Sequence, residues 1–210
     1  MAIVRHGQSQ GNVGHVWHGA RTDAELTKLG IQQAQLTGTY LAKNMWGVET
    51  VYSSPLKRAK ETADIIAASL GTKVEALPDL IEIDWGELEG LTTKQVAEQF
   101  PDVIRLWGTH LSTPLPGGDA AADVAKRAGT AFKMIAEKHA GDGGAVVVSH
   151  QGAITLGLAA LLQNESGMLD YQASNCGVML VEFNRSPVLK VSNYTEHLTA
   201  GGLETDKWAF

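Results

Sequence analysis

Short apolar runs of strand length recur along the chain, and most of them are followed by a polar turn and then a segment of helical periodicity. Runs rich in valine, isoleucine and tyrosine at residues 1–4, 48–52 and 145–149 predict strands that are buried on both faces. After the second run, apolar residues three and four positions apart predict an amphipathic helix that ends at Gly71. The repeated order of strand, polar turn and helix predicts parallel strands joined by helices.

The rest of the pattern is less regular, but it still predicts recognisable elements. They are a loop at residues 13–25, a helix that opens at Leu26 and Thr27, a weak strand at 74–77, an irregular apolar segment at 80–86, short helices from 92 to 100 and from 102 to 109, a loop at 111–118, a helix that ends near 162, and a terminal hairpin of 178–183 with 188–193.

Three helix starts carry capping residues. We predict that Ser54 caps the helix of residues 55–70 and that Pro55 is its first helical residue. Thr92 with Gln95 has the spacing of a capping box, and Asp119 is the predicted cap of a long helix that follows it.

Length and composition favour a single domain. The 210 residues are 44% hydrophobic and 19% charged, which fits one globular domain with a sizeable core. We expect this domain to span residues 1–198 and residues 199–210 to form a mobile C-terminal tail. The net charge of -6 argues against nucleic-acid and membrane-surface partners, because both require a basic surface.

The cysteine count and the lack of long apolar runs limit the setting in which the protein works. Cys176 is the only cysteine, so the sequence has no disulfide framework and no cysteine zinc site. No apolar run approaches the length of a membrane span, and no export signal precedes the first strand. We therefore expect a soluble, cytoplasmic protein.

Cationic and imidazole side chains follow the three predicted buried strands. Arg5 and His6 come after the first strand, Arg58 lies one turn into the helix after the second, and His150 follows the third. The carboxyl ends of parallel strands share one edge of a sheet, so these four side chains should converge. Because arginine binds phosphate oxygens in pairs, the sequence predicts a site for a phosphoryl group.

Protonation indicates which residue would react. Two neighbouring guanidinium groups lower the pKa of a histidine, which leaves His6 neutral and able to attack phosphorus. A phosphohistidine intermediate would follow. Arg5, Arg58 and a protonated His150 would stabilise the phosphoryl oxygens, with no metal and no other cofactor.

The leaving group still needs a proton. Glu82 lies in the half-apolar segment 80–86, where desolvation favours a carboxyl group that is protonated until it acts. It could then deprotonate the incoming water, so we predict that Glu82 is the general acid and base. Asp84 is the second choice.

Each of these residues also has a purely structural explanation. Arg58 alone could be a solvated helix residue, His150 a buried polar residue with its hydrogen bonds satisfied, and Glu82 part of an acidic loop. Their joint spacing is what favours chemistry. His15 and His18 lack a third ligand, so we predict no metal site there and place His18 at the mouth of the pocket.

Four blocks of this sequence together resemble the signature of the histidine phosphatase superfamily, the phosphoglycerate mutase-like proteins. The blocks are Arg5-His6-Gly7 with Asn12, residues 53–63 (SSPLKRAKETA), residues 82–90 (EIDWGELEG) and residues 148–152 (VSHQG). They occur in the family's order.

The resemblance implies a three-layer α/β/α fold, with a mostly parallel central sheet flanked by helices. It also implies that His6 is phosphorylated and that Glu82 donates the proton, while Arg5, Arg58 and His150 complete the phosphate pocket with help from Asn12. The other candidate positions for binding phosphate or substrate are Ser9, His18, Gly19 and Gln151.

The sequence resembles the phosphatase branch of the family more than the mutase branch. Mutases carry paired arginines and a proline-rich run after the block that corresponds to residues 82–90. Here the segment that follows, residues 91–116, has Arg105 as its single arginine and has no proline triplet. We therefore predict hydrolysis of a small phosphorylated metabolite. Phosphoryl transfer of the mutase type and a non-catalytic phospho-ligand binding protein are the alternatives.

The sequence is less informative about the leaving group and about partners. Val16, Trp17, Leu88 and Leu115 are candidate contacts for the leaving group, but they are compatible with sugar phosphates, nucleoside-like compounds and small esters alike. The partner that we expect is a small-molecule substrate. The exposed edge of the terminal hairpin would also suit a homodimer.

Overall fold

The computed structural model describes residues 1–14, 16–106, 112–140, 144–164 and 171–203. The strands within these residues are β1 (Ala2–Arg5), β2 (Val48–Ser53), β3 (Lys73–Ala76), β4 (Gly144–Ser149), β5 (Val178–Phe183) and β6 (Pro187–Tyr194). They form one sheet in the order β3-β2-β4-β1-β5-β6. The pairs β3/β2, β2/β4 and β4/β1 are parallel, whereas β1/β5 and β5/β6 are antiparallel, and the β5/β6 pair is the predicted terminal hairpin.

Helices cover both faces of the sheet. They are α1 (Gln10–Val13), α2 (Lys28–Asn44), α3 (Lys57–Leu70), α4 (Thr93–Gln99), α5 (Pro101–Leu106), α6 (Ala121–Lys138), α7 (Gln151–Leu161) and α8 (Glu196–Thr199). Leu41 of α2 and Ile66 of α3 pack on one face, in a core with Val4 of β1. Phe132 of α6 and Ile154 of α7 pack on the other, where they form a separate core. The three-layer α/β/α prediction is confirmed.

Strand β1 shows why the central strands read as unbroken apolar runs. Successive side chains of a strand point to opposite faces, so Ala2 and Val4 enter the core beneath α2 and α3 while Ile3 enters the core beneath α6 and α7. All three side chains are fully buried. A strand with helices on both faces has no solvent side on which a polar residue would be tolerated.

The carboxyl ends of β1, β2 and β4 meet at one edge of the sheet, as predicted. The backbone N–H of His6 donates to the carbonyl of Ser149 at 3.0 Å, and that of Ser54 donates to the carbonyl of Val148 at 3.0 Å. These bonds extend the parallel pairing by one residue beyond the strands. His6, Ser54 and His150 are thereby brought together.

Two of the predicted helix caps are wrong. Helix α3 begins at Lys57 with Leu56 as its N-cap, so Ser54 and Pro55 lie before the helix. Helix α6 begins after Ala120, and Asp119 does not cap it. In both cases a distant partner holds the side chain: the hydroxyl of Ser54 bonds His150, and the Asp119 carboxylate accepts the N–H of Asp84.

The local predictions hold better where no distant partner competes. The hydroxyl of Thr27 accepts the N–H of Gly30 at the start of α2, and Thr92 forms the predicted capping box with Gln95 at the start of α4. The second short helix is observed as α5, and the remainder of its predicted range to residue 109 lies outside the described residues.

The chain after β6 folds back onto the domain as far as the structure describes it. Leu198 of α8 is fully buried with Ala34 and Cys176, and Leu203 packs against this cluster. Residues 204–210 of the predicted tail lie outside the described residues. None of the described helices combines the length and apolar character that a membrane span needs.

Candidate active site

His6 lines a cavity at the carboxyl edge of the sheet, directly after β1. The imidazole is 4% exposed, and its Nδ1 lies 2.7 Å from the carbonyl oxygen of Gly7. A carbonyl only accepts hydrogen bonds, so Nδ1 must carry the proton and donate. The lone pair is therefore on Nε2, which is the form of histidine that a nucleophile requires.

The charge state of His6 agrees with this assignment. Burial, followed by the positive charges of Arg58 and Arg5, lowers the pKa of His6 well below its ordinary value of 6.5, and the hydrogen bond to Gly7 opposes this shift. The ring is thus neutral at physiological pH, as the sequence predicted.

Arg5 and Arg58 line the same cavity and are almost completely buried. One guanidinium N–H of Arg5 donates to the carbonyl of Ala173 at 2.9 Å. Arg58 donates to the carbonyls of Thr22 at 2.7 Å and Gly19 at 3.0 Å. Carbonyl oxygens carry no net charge, so these bonds orient both guanidinium groups towards the cavity without neutralising them.

His150 lies behind His6, with ring centroids 5.1 Å apart and planes tilted by 59°. It is fully buried, and it is not among the described residues that line the cavity. Its Nε2 lies 2.7 Å from the hydroxyl oxygen of Ser54, whereas the buried Nδ1 has no hydrogen-bond partner among the described residues.

In the free protein the surroundings of His150 disfavour the protonated form that the sequence predicts. Burial is the largest cause that lowers its pKa well below 6.5, and the charge of Arg58 is the next. Sequence reasoning gave the ring a cationic role without knowing that it is buried beside another imidazole and two guanidinium groups.

Glu82 lines the same cavity and is 6% exposed. Its Oε1 accepts the N–H groups of Ile83 at 2.9 Å and Ala153 at 3.0 Å, and its Oε2 accepts that of Gly152 at 3.1 Å. Two of these donors belong to the first turn of α7, where orphan N–H groups attract a carboxylate. Glu82 is therefore held rigidly at the cavity, with lone-pair capacity left on Oε2.

Arg127 of α6 fixes the backbone that carries Glu82. Its guanidinium donates to the carbonyl of Glu82 at 2.9 Å, to that of Asp79 at 2.9 Å and to that of Ile81, and it lies 3.7 Å from the Asp119 carboxylate. Sequence reasoning missed this residue because nothing near it in the sequence indicates its target.

Asp84, the second-choice acid, is engaged elsewhere. Its carboxylate oxygens lie 2.7 Å and 3.0 Å from the guanidinium of Arg21, and one of them accepts the N–H of Gly86. Asp84 is not among the described residues that line the cavity.

Asn12 and Ser9 line the cavity close to His6. The side-chain oxygen of Asn12 accepts the N–H of Ser9 at 2.9 Å and its hydroxyl at 3.1 Å, and the amide of Asn175 donates to it at 3.3 Å. With that oxygen occupied, the NH₂ group is what Asn12 can offer an anion. Asn175 also donates to the carbonyl of His6 at 2.9 Å, a contact that the sequence did not predict.

The remaining predicted positions divide into two groups. His18 and Gln151 line the cavity, and burial together with the charge of Arg58 lowers the pKa of His18. Gly19 lies instead against Ile83, where an added Cβ would come within 2.3 Å of a carbonyl oxygen. Its part in the site is to let Arg58 and the segment of Glu82 approach each other.

Two of the four predicted leaving-group contacts line the cavity and two do not. Val16 and Trp17 line it. Leu88 and Leu115 are instead buried in the core beneath α6 and α7. Among the described residues, no group of three or more histidine, cysteine, aspartate or glutamate side chains is arranged to hold a metal ion.

Known proteins share both the sequence pattern and the fold. Residues 1–194 match the model of the histidine phosphatase superfamily (branch 1). A metal-independent phosphoserine phosphatase of Arabidopsis thaliana is 35% identical over 157 residues, which are 73% of this chain and 65% of that protein. A bifunctional protein of Mycobacterium tuberculosis is 34% identical over 169 residues, which are 80% of this chain and 46% of that protein. The chain thus spans about half the length of this mycobacterial relative.

A solved structure shows the same architecture. The phosphoserine phosphatase of Entamoeba histolytica, determined in complex with 3-phosphoglyceric acid, superimposes with a TM-score of 0.81 and 28% identity. The match covers 94% of this chain and 98% of that structure.

Proposed function

Since the chain belongs to the histidine phosphatase superfamily, we propose that it hydrolyses phosphomonoesters by passing the phosphoryl group through Nε2 of His6. The observation that carries this proposal is the state of His6. Its proton is held on Nδ1 by the Gly7 carbonyl, and two buried guanidinium groups face the same cavity. The named phosphatase relatives support hydrolysis as the reaction type.

The first step transfers the phosphoryl group to the protein. Nε2 of His6 attacks phosphorus, the N–P bond forms, and the bond from phosphorus to the leaving oxygen breaks. Glu82, in its protonated form, gives that oxygen a proton and becomes a carboxylate, so an alcohol departs. Arg5 and Arg58 stabilise the charge on the three non-bridging oxygens.

The second step restores the enzyme. Glu82, now a carboxylate, takes a proton from water as the water attacks phosphorus, and the N–P bond breaks to release inorganic phosphate and neutral His6. None of these steps calls for a metal ion, because arginine and backbone donors supply the electrostatic stabilisation.

The cavity favours hydrolysis over the mutase alternative. A mutase must hold a second anionic group of its substrate, and burying such a group without a cation is costly. The only cationic side chains among the described cavity residues are Arg5 and Arg58, and both lie beside His6. We therefore expect no interconversion of phosphoglycerates in the presence of a bisphosphate primer.

Trapping with an alkaline detergent quench tests the covalent intermediate. After the enzyme is mixed with ³²P-labelled phosphomonoester in a metal chelator, we expect acid-labile, base-stable label on the protein and steady release of phosphate. His6→Ala should lose both signals. His139→Gln should keep both, because His139 bonds the hydroxyl of Tyr52 and is not among the described residues that line the cavity. Chelator-resistant turnover that survives in His6→Ala would refute the proposal.

A further inference from the structure

The residues that line the cavity fall into two chemically different sets, which we treat as two ends of the cavity. The phosphate end is formed by His6, Arg5, Arg58 and Glu82, together with Ser9 and Asn12. The other end, which we call the leaving-group end, is lined by Val16, Trp17, Ile83, Trp85 and Leu156. A phosphoryl group bound at His6 leaves the rest of its substrate against this second set of side chains.

Two tryptophans form an aromatic corner at the leaving-group end. The rings of Trp17 and Trp85 lie 4.6 Å apart at an interplanar angle of 75°, which is an edge-to-face contact. The indole N–H of Trp17 donates to the hydroxyl of Thr93 at 3.3 Å. The polar atom of Trp17 is therefore engaged with α4, and the ring offers carbon surface to the cavity.

Two of the polar side chains that line the cavity, Gln151 and Thr155, are already bonded to the protein. The amide oxygen of Gln151 accepts the N–H of Ala173 at 2.8 Å, and its nitrogen donates to the hydroxyl of Thr155 at 2.9 Å. That hydroxyl donates in turn to the carbonyl of Tyr171 at 2.9 Å. This chain occupies Gln151 and Thr155, and the two other polar side chains of the cavity wall outside the phosphate end, His18 and Gln172, carry no positive charge for a substrate carboxylate.

Cations close to the leaving-group end are also committed. Arg21 is paired with Asp84, and Arg127 holds the backbone carbonyls around Glu82. Neither is among the described residues that line the cavity. A substrate carboxylate in this part of the cavity would lose its hydration, and no cationic side chain among the described residues would pair with it. Such burial of a charge is strongly unfavourable.

From this arrangement we infer that the substrate is a phosphomonoester whose leaving group is uncharged and carries an apolar or aromatic ring that packs against Trp17 and Trp85. Esters of amino acids and of sugar acids are disfavoured. This inference rests on the proposed phosphatase function, because that function places the phosphoryl group at His6.

Matched substrates separate the inference about the leaving group from the proposed phosphatase function. Benzyl phosphate, the methyl ester of 4-(phosphonooxymethyl)benzoate, its free carboxylate, phosphoserine and 3-phosphoglycerate all release a primary alcohol, so their intrinsic reactivities are close. We expect kcat/KM to be at least about tenfold higher for benzyl phosphate and the methyl ester than for the three carboxylates. Equal or faster turnover of the carboxylates, with loss of activity in His6→Ala, would overturn this inference but keep the phosphatase. No His6-dependent hydrolysis of any ester would overturn both.

A charge-adding variant provides the reciprocal test. Gln172 lines the cavity and is half-buried. Gln172→Arg should raise the ratio of kcat/KM for the free carboxylate to that for its methyl ester by about tenfold, because it supplies the missing cation. Gln172→Met, which has similar length and no charge, should leave the ratio low. An unchanged ratio in Gln172→Arg would contradict the inferred basis of discrimination.

A second variant tests the aromatic corner directly. Trp85→Ala should raise KM for benzyl phosphate by more than it raises the inhibition constant of inorganic phosphate, which occupies only the phosphate end. An equal rise in both constants would indicate a general disturbance of the cavity and would contradict the assigned contact.

Discussion

The hydroxyl oxygen of Ser54 lies 2.7 Å from Nε2 of His150, across the carboxyl ends of the neighbouring strands β2 and β4. Burial keeps His150 neutral, so one ring nitrogen carries a proton and the other a lone pair. If Ser54 donates to Nε2, the proton of His150 is on Nδ1, which is buried and has no partner among the described residues. Ser54 thus has the position to select the tautomer of His150 that carries its proton on Nδ1, next to His6.

We predict that Ser54→Ala lowers kcat/KM by about tenfold, the effect of losing one hydrogen bond that orients a catalytic group. The control is Ser53→Ala. Ser53 is equally buried, but its hydroxyl donates to the carbonyl of Ser54 and not to His150. ¹⁵N spectra should show a shift of the His150 tautomer towards Nε2–H in Ser54→Ala alone. Equal losses of activity in the two variants, with no change of tautomer, would assign Ser54 a packing role only.

The lowered pKa of His6 predicts that the nucleophile stays neutral under mildly acidic conditions. The Cε1 resonance of His6, assigned by comparison with His6→Gln, should not titrate as the pH falls from 8 to 6.5. A free histidine would be half protonated at the lower end of this range. A midpoint at or above pH 6.5 would contradict the shift, and with it the claim that Nε2 is available for attack.

The buried histidines also make stability depend on pH. His197 stacks against both Tyr40 and Tyr194, whose rings also contact each other, and it bonds Thr37; burial lowers its pKa to about 4. The unfolded chain takes up a proton near pH 6.5 but the folded chain does not, so the stabilisation is complete above pH 6.5 and declines as the pH falls towards 4.

We therefore expect the free energy of unfolding in urea to decrease between pH 6.5 and 5, by up to about 1.4 kcal/mol per pH unit for each such histidine. His197→Gln keeps a hydrogen-bonding group for Thr37 but does not titrate. The slope of its free energy of unfolding against pH should therefore be smaller than that of the wild type, by the contribution of up to one proton. Parallel slopes would show that His197 does not contribute to the pH dependence.

How far the sequence predicts this site depends on where the partners of each side chain lie. His6, Arg5 and Arg58 were found because each follows a buried strand whose apolar pattern is unmistakable, and parallel strands share an edge. Ser54 was misassigned because its local sequence resembles a helix cap, while the partner that holds it is 96 residues away. Asn175, whose amide reaches Asn12 across 163 residues, carries no local signal at all. Periodicity reports which face of an element is buried, but it does not report which distant group a polar side chain meets.

The role assigned to Glu82 leads to a prediction that depends on the leaving group. Glu82→Gln removes the transferable proton and places an NH₂ group where the carboxylate now accepts N–H donors from Gly152 and Ala153. Loss of a general acid and base costs about 10² to 10⁴ in rate. We expect a loss of this size in kcat for benzyl phosphate, whose alkoxide needs protonation.

For 4-nitrophenyl phosphate the leaving oxygen departs readily without a proton, so the formation of labelled enzyme should fall much less than it does for benzyl phosphate. Asp84→Asn is the matched control, because Asp84 is two residues away but is paired with Arg21. It should retain the wild-type ratio of the two substrates. If Glu82→Gln slows both substrates equally, the carboxyl group acts by holding the first turn of α7 in place, and the proton must come from another group.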